Sequence, residues 1–315
     1  MNQPNLLFRY IAVSLIVVFL AACDSSDDRK GRFLLKGNEK LKENDAKSAI
    51  DLYSEALKID NNYRDALFNR GSAYQRVNQL DLAIRDYDQI INLDPGDSLA
   101  VFQRGVCFMD NGEFYKGLED TKLLIQANPN GWKGYFLEGL IYEKMRRFPE
   151  AKASFEKALA ISDGNLDILV NLASIEYYLK NFEEAASLLD AAEKIGKPEP
   201  NIQNLRSLLE FEKKNYREAL SQIETAISLR PSEAFFYNNR GLYKLYLGLL
   251  DEGLSDINFS LRQNPKNLHA LRNKGIYYVL KGQSEMAKNY LLEVAEKAPD
   301  MDLVQEYLTM VEAKN

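Results

Sequence analysis

Eight small residues recur in this chain at one fixed phase of a 34-residue period: Gly37, Gly71, Gly105, Gly139, Ala173, Ser207, Gly241 and Gly275. Twelve positions after each stands a second small residue: Ala49, Ala83, Gly117, Ala151, Ala185, Ala219, Gly253 and Ala287. Self-similarity at this period is the mark of stacked helical hairpins. Glycine inside a helix costs about 1 kcal/mol relative to alanine, so its recurrence needs a packing return. Two helix backbones that approach too closely for a bulky side chain supply one. Each hairpin then buries its apolar face against its neighbours.

Other positions keep the same phase. Four residues before the first small residue comes Phe33, Leu67, Val101, Tyr135, Leu169, Gln203, Tyr237 or Leu271. Four after the second comes Tyr53, Tyr87, Thr121, Phe155, Leu189, Ile223, Ile257 or Leu291. Pro95, Pro129, Pro231, Pro265 and Pro299 close five of the units, where proline ends one helix and opens the next hairpin. This pattern resembles the tetratricopeptide repeat family, W-x₂-L-G-x₂-Y…A-x₃-F…P. The resemblance covers roughly residues 30–301 without an insertion or deletion. It implies an all-α, right-handed superhelical solenoid of eight helix–turn–helix units at about 30–63, 64–97, 98–131, 132–165, 166–199, 200–233, 234–267 and 268–301.

The fifth and sixth units depart most, with Ala173 and Ser207 in place of glycine and Lys197-Pro198-Glu199-Pro200 between them. A local change of superhelical pitch and simple drift are both open there. After Pro299, Leu303, Val304, Tyr307, Leu308 and Val311 recur at helical spacing opposite Asp302, Gln305, Glu306, Thr309 and Glu312. Residues 302–315 therefore read as a capping helix over the open end of the core.

The first residues differ in kind. Residues 10–22 form an apolar run interrupted only by Ser14, too short to span a bilayer and of the length of a secretory signal core. It ends in Leu20-Ala21-Ala22-Cys23, which resembles the bacterial lipobox. That resemblance implies removal of residues 1–22, a diacylglycerol and acyl group such as palmitate on Cys23, and anchorage in the bacterial cell envelope. Residues 23–31 follow as an acidic, flexible tether. Acidic residues behind the cysteine resemble a surface-export signal of some Gram-negative lineages, while Asp24 resembles an inner-membrane retention signal of others. The outer membrane, on its periplasmic or surface face, is the reading taken over the inner membrane.

Without residues 1–22 the chain loses Arg9 alone among its charges, leaving 39 basic against 46 acidic residues, a net charge of −7. That balance argues against nucleic acid as a partner. With Cys23 lipidated only Cys107 remains, on a helix with the packed positions, which suits a buried, inert thiol.

Catalytic constellations are scarce. His269 is the single histidine, which leaves Ser-His-Asp triads and multi-histidine metal sites incomplete. Neither G-x-x-x-x-G-K-[ST] nor G-x-G-x-x-G occurs. Asp163-Gly164-Asn165-Leu166-Asp167 lacks the ordered ligand series of a calcium loop and reads as a turn. No catalytic residue, metal or cofactor is expected beyond the covalent lipid.

The family resemblance implies binding instead. Its first helices line a concave groove that holds peptides or helices. The lining positions here are Leu34, Phe68, Phe102 and Phe136, then Val106, Leu140, Leu208, Leu242 and Ile276, and near the helix ends Tyr177, Phe211, Leu245 and Val279. Some family members clamp a terminal carboxylate with two asparagines and basic residues. Asn38 and Asn69 match the asparagines, but Leu34, Leu99 and Gln103 fill the basic positions and cannot neutralise an anion. The expected role is a non-enzymatic scaffold that binds a polypeptide in its groove. Alternatives are an assembly factor for an outer-membrane pore or secretion component, and a regulatory adaptor for an envelope hydrolase. Self-association along the apolar faces stays open.

Overall fold

The computed structural model describes residues 25–313, so Cys23 and the segment before it lie outside the described residues. Seventeen helices and no strand occur among them. The chain divides into two units, residues 1–161 and 162–315.

The first unit holds four hairpins. They are α1 (Ser26–Lys42) with α2 (Ala46–Ile59), α3 (Arg64–Arg76) with α4 (Leu80–Leu93), α5 (Ser98–Asp110) with α6 (Phe114–Ala127), and α7 (Trp132–Lys144) with α8 (Phe148–Ile161). Each helix packs on its hairpin partner, and each second helix packs on the following first helix.

The second unit repeats the plan. It holds α9 (Leu166–Tyr178) with α10 (Phe182–Glu193), α11 (Pro200–Glu212) with α12 (Tyr216–Leu229), α13 (Ala234–Tyr246) with α14 (Leu250–Gln263), and α15 (Leu268–Leu280) with α16 (Ser284–Lys297). A ninth-hairpin position is filled by the single helix α17 (Val304–Glu312), which packs on α16 and α15.

The small residues sit where the helices of a hairpin cross. A Cβ on Gly37 would stand 2.4 Å from the Tyr53 ring, one on Gly139 2.6 Å from Phe155, and one on Gly275 2.7 Å from Leu291. In the seventh hairpin the backbones themselves meet: a Cβ on either Gly241 or Gly253 would lie 2.8 Å from the other's carbonyl oxygen. Tyr53, Tyr87 and Phe155 fill the space so vacated and are wholly buried.

Each hairpin turns through one residue with left-handed backbone, again 34 apart: Asn44, Asn78, Gly112, Arg146, Lys180, Lys214, Gly248 and Gly282. The tight return to the partner helix requires that conformation, and Asn and Gly adopt it most cheaply.

The expected tether is shorter than its sequence suggested. Residues 26–31 are the first turns of α1, because Ser25 and Asp28 form a reciprocal capping box that satisfies the opening amides. Lys30 then ties α1 to the end of α2, its ammonium donating to Asp60 at 2.7 Å. Among the described residues no helix is long and apolar enough to cross a membrane.

Candidate partner-binding face

In the first unit the first helices present a row of aromatic side chains at one phase, three residues before each small residue. Phe68, Phe102 and Phe136 stand there, and each ring is half-buried. Phe68 meets the buried Tyr87 edge-on, with centroids 5.6 Å apart, while the Arg64 guanidinium lies 4.8 Å over its ring. Phe136 stands between Trp132 and Phe155, 5.7 Å from each. Phe102, Val106 and Leu140 pack one side against a core of Val101, Leu137 and Ile141 and keep the other open. All five, Phe68, Phe102, Phe136, Val106 and Leu140, lie on first helices of the first unit and are half-buried.

The second unit treats the corresponding positions differently. Leu208 is half-buried. Phe211, also half-buried, stacks on Tyr243 with centroids 5.2 Å apart and meets Tyr246 edge-on at 5.0 Å. Tyr177 donates its hydroxyl to Glu212 at 3.0 Å, and burial beside that carboxylate raises the phenol above its ordinary range. Leu242 corrects the expectation of an open lining residue: it is 5 % exposed. Leu245, Ile276 and Val279 are buried with it. All four belong to one cluster that includes Val304, Tyr307, Leu308 and Val311 of α17.

Asn38 and Asn69 are engaged with each other, since the Asn38 carbonyl accepts from both the Asn69 amide and the Tyr53 hydroxyl at 2.8 Å. Cys107 is wholly buried and His269 is exposed. Among the described residues no group of three or more His, Cys, Asp and Glu side chains is placed to hold a metal ion.

An ion-pair ladder was legible in the sequence but lay outside the family pattern. The residue just before the small position is arginine in four hairpins, and a carboxylate stands sixteen residues away. Arg70 forks onto Asp86 at 2.7 and 2.9 Å, and Arg240 onto Asp256 at 2.7 and 2.8 Å. Arg104 grips Asp120 on one side and Asp88 of the preceding hairpin, at 2.7 Å, on the other. Arg206 reaches back to Asp190. The three bidentate pairs, at Arg70, Arg104 and Arg240, restrain the first helices that carry them against their partner helices.

Family models described as tetratricopeptide or TPR repeat match residues 37–78, 65–97 and 144–209. No curated protein matches the chain. Among solved structures, the APC/C hetero-tetramer Cut9–Hcn1 is similar with a TM-score of 0.68 at 14% identity, over 89% of this chain and 55% of that one. This chain thus spans about half the length of that relative. Pseudomonas aeruginosa pilF is similar with a TM-score of 0.53 at 15% identity, over 69% of this chain and 97% of that one. At these identities the likeness is one of fold.

Proposed function

We propose that this chain, a tetratricopeptide repeat protein and hence a protein-interaction scaffold by fold, is held at a bacterial envelope membrane by a lipid on Cys23 and binds a polypeptide along its first helices. The observation that carries the reading is that Phe68, Phe102, Phe136, Val106 and Leu140 of the first helices are all only half-buried. Large apolar side chains left open at a repeated position suit a contact surface. Its spacing along parallel helices suits a partner that offers side-chain anchors rather than a charged terminus.

The scaffold supplies no chemistry of its own in this reading; it selects and positions. Outer-membrane anchorage rests on the signal-like run and Cys23, and the short stretch between Cys23 and α1 would keep the first hairpin close to the lipid surface.

Photoreactive residues placed at Phe102 and Phe136 test the groove. Both are expected to capture the same polypeptide, while controls at the exposed Leu123 and Ile161 capture none. Capture only from the controls overturns the reading. Cys23→Ser is expected to release the chain from membranes; membrane association unchanged by that substitution removes the anchor from the proposal.

A further inference from the structure

The last helix does more than close the final hairpin. Lys180, in the turn of the fifth hairpin, reaches Asp302 with its ammonium 3.4 Å from the carboxylate, across 122 residues of chain. Arg272 of α15 donates to the Asp302 carbonyl oxygen at 3.3 Å. Tyr307 of α17 is buried in the cluster against which Tyr246 of α13 packs. A helix that merely took the next place in the stack would meet α16 and α15 alone. The segment 302–312 adds to those contacts: Asp302 reaches the fifth-hairpin turn, and Val304, Tyr307, Leu308 and Val311 share one buried cluster with Leu242, Leu245, Ile276 and Val279.

The entry of α17 is also distinct. Four residues join each of the two preceding pairs of hairpins (230–233 and 264–267), whereas six (298–303) precede α17. Leu303, the last of them, has φ +71°, a left-handed backbone outside the 34-residue series of turns. The longer link and its extra left-handed turn set this junction apart from the regular ones.

Several features weaken the docked state. Nine residues make α17 the shortest helix described, and its N-cap Leu303 provides no side-chain hydrogen bond. Leu303 carries the strain of a branched side chain in left-handed backbone. Arg272 is 8 % exposed, yet its guanidinium donates to two neutral acceptors, Asn273 Oδ1 and the Asp302 carbonyl. Burial of a charge without a bonded carboxylate opposes closure, and undocking would return it to water.

We propose that the first-helix face of the second unit is a helix-binding surface closed by the chain's own α17, which a partner helix of the same chemistry displaces. The required pattern is written in α17 itself. Val304, Tyr307, Leu308 and Val311 stand at i, i+3, i+4 and i+7, with an acidic residue two positions ahead whose carboxylate meets Lys180. This inference rests on the scaffold reading above and assigns the two units different states, one face open and the other self-occupied.

Hydrogen exchange on the full chain, with a labelled synthetic peptide of residues 302–313 as the probe, tests it. In the native protein the α17 amides are expected to exchange well before those of α15. The peptide is expected to bind full-length Leu308→Asp at least about tenfold more tightly than the unsubstituted chain, because the resident helix no longer competes. A scrambled peptide should bind neither. If α17 and α15 exchange together and the peptide binds neither chain, α17 is a permanent cap and the proposal fails. Should Leu308→Asp unfold the second unit, Tyr307→Phe, which removes only the buried hydroxyl, replaces it; a native-state exchange difference still decides. Crosslinking at Phe102 and Phe136 lies in the first unit, so loss of that capture without loss of peptide binding separates the two readings.

Discussion

The ring of Phe155 occupies the place where Gly139 would carry a side chain: a Cβ there would stand 2.6 to 2.9 Å from three ring atoms. Five hairpins repeat this relation between a glycine and the large residue sixteen positions on, so it sets the hairpin spacing. Gly139→Ala gains up to about 1 kcal/mol of helix propensity but forces overpacking that costs about 1–3 kcal/mol. A net loss of up to about 2 kcal/mol is expected from urea denaturation of the first unit. In a Phe155→Ala background, already weakened by about 3–5 kcal/mol, the same substitution should become neutral or stabilising. Equal losses in both backgrounds would show that the ring is not what excludes the methyl.

Arg104 joins three hairpin elements through Asp120 and Asp88, and Asp120 is 2 % exposed. Arg104→Leu leaves that carboxylate buried without its partner, and burial alone pushes its pKa up. The expected loss is about 3–5 kcal/mol, most of it recovered in Arg104→Leu with Asp120→Leu, because paired apolar replacements of a buried ion pair are often neutral. Recovery of less than about 1 kcal/mol in the double substitution would assign the pair a positive role beyond charge compensation.

The hairpin architecture was readable because its cause is local and repeated. One crossing needs one small residue and one large one, and eight copies of that need rise above any chance pattern. The eight left-handed turns were harder to see, since Arg146, Lys180 and Lys214 carry no residue-level sign of the conformation that the flanking helices impose on them. Phase also placed Phe68, Phe102 and Phe136 at one level of the first helices, where each is half-buried. It misplaced Leu242 because periodicity reports which face a residue occupies, not what else joins its cluster, here residues of α17. The helix itself was recognised by its amphipathic spacing, but the left-handed turn at Leu303 before it left no mark in that spacing. Similarly, the tether was cut short by one capping box, Ser25 with Asp28, whose composition is that of a disordered linker.

Lys214 holds φ +62° at the turn of the sixth hairpin and is exposed. Lysine there bears roughly 1–2 kcal/mol of backbone strain that glycine avoids. Glycine also enlarges the entropy of the unfolded chain, which returns about 0.4–1 kcal/mol of that gain. Lys214→Gly is therefore expected to stabilise the second unit by about 0.5–1 kcal/mol, read as a raised urea midpoint with unchanged slope. Lys213→Gly, one position earlier at the helix C-cap with ordinary backbone, should give no gain.

Cys107 lies wholly buried beside Tyr87 in the first unit, and burial pushes its thiol up to about 12. An unfolded cysteine titrates near 8.5. The folded chain thus keeps a proton that the unfolded chain releases between those values. Stability from this group is complete below about pH 8.5 and is lost as pH rises toward 12, the direction that proton linkage requires when the unfolded state binds fewer protons. Two measurements check it. Iodoacetamide labelling of Cys107 at pH 8 should follow the unfolding of the first unit in urea, with the native chain protected. Cys107→Ala should flatten the alkaline fall in urea midpoint between pH 8.5 and 11 while leaving a constant packing loss at pH 7. If the native thiol labels at the rate of a free cysteine, neither its burial nor the core around α5 is as described.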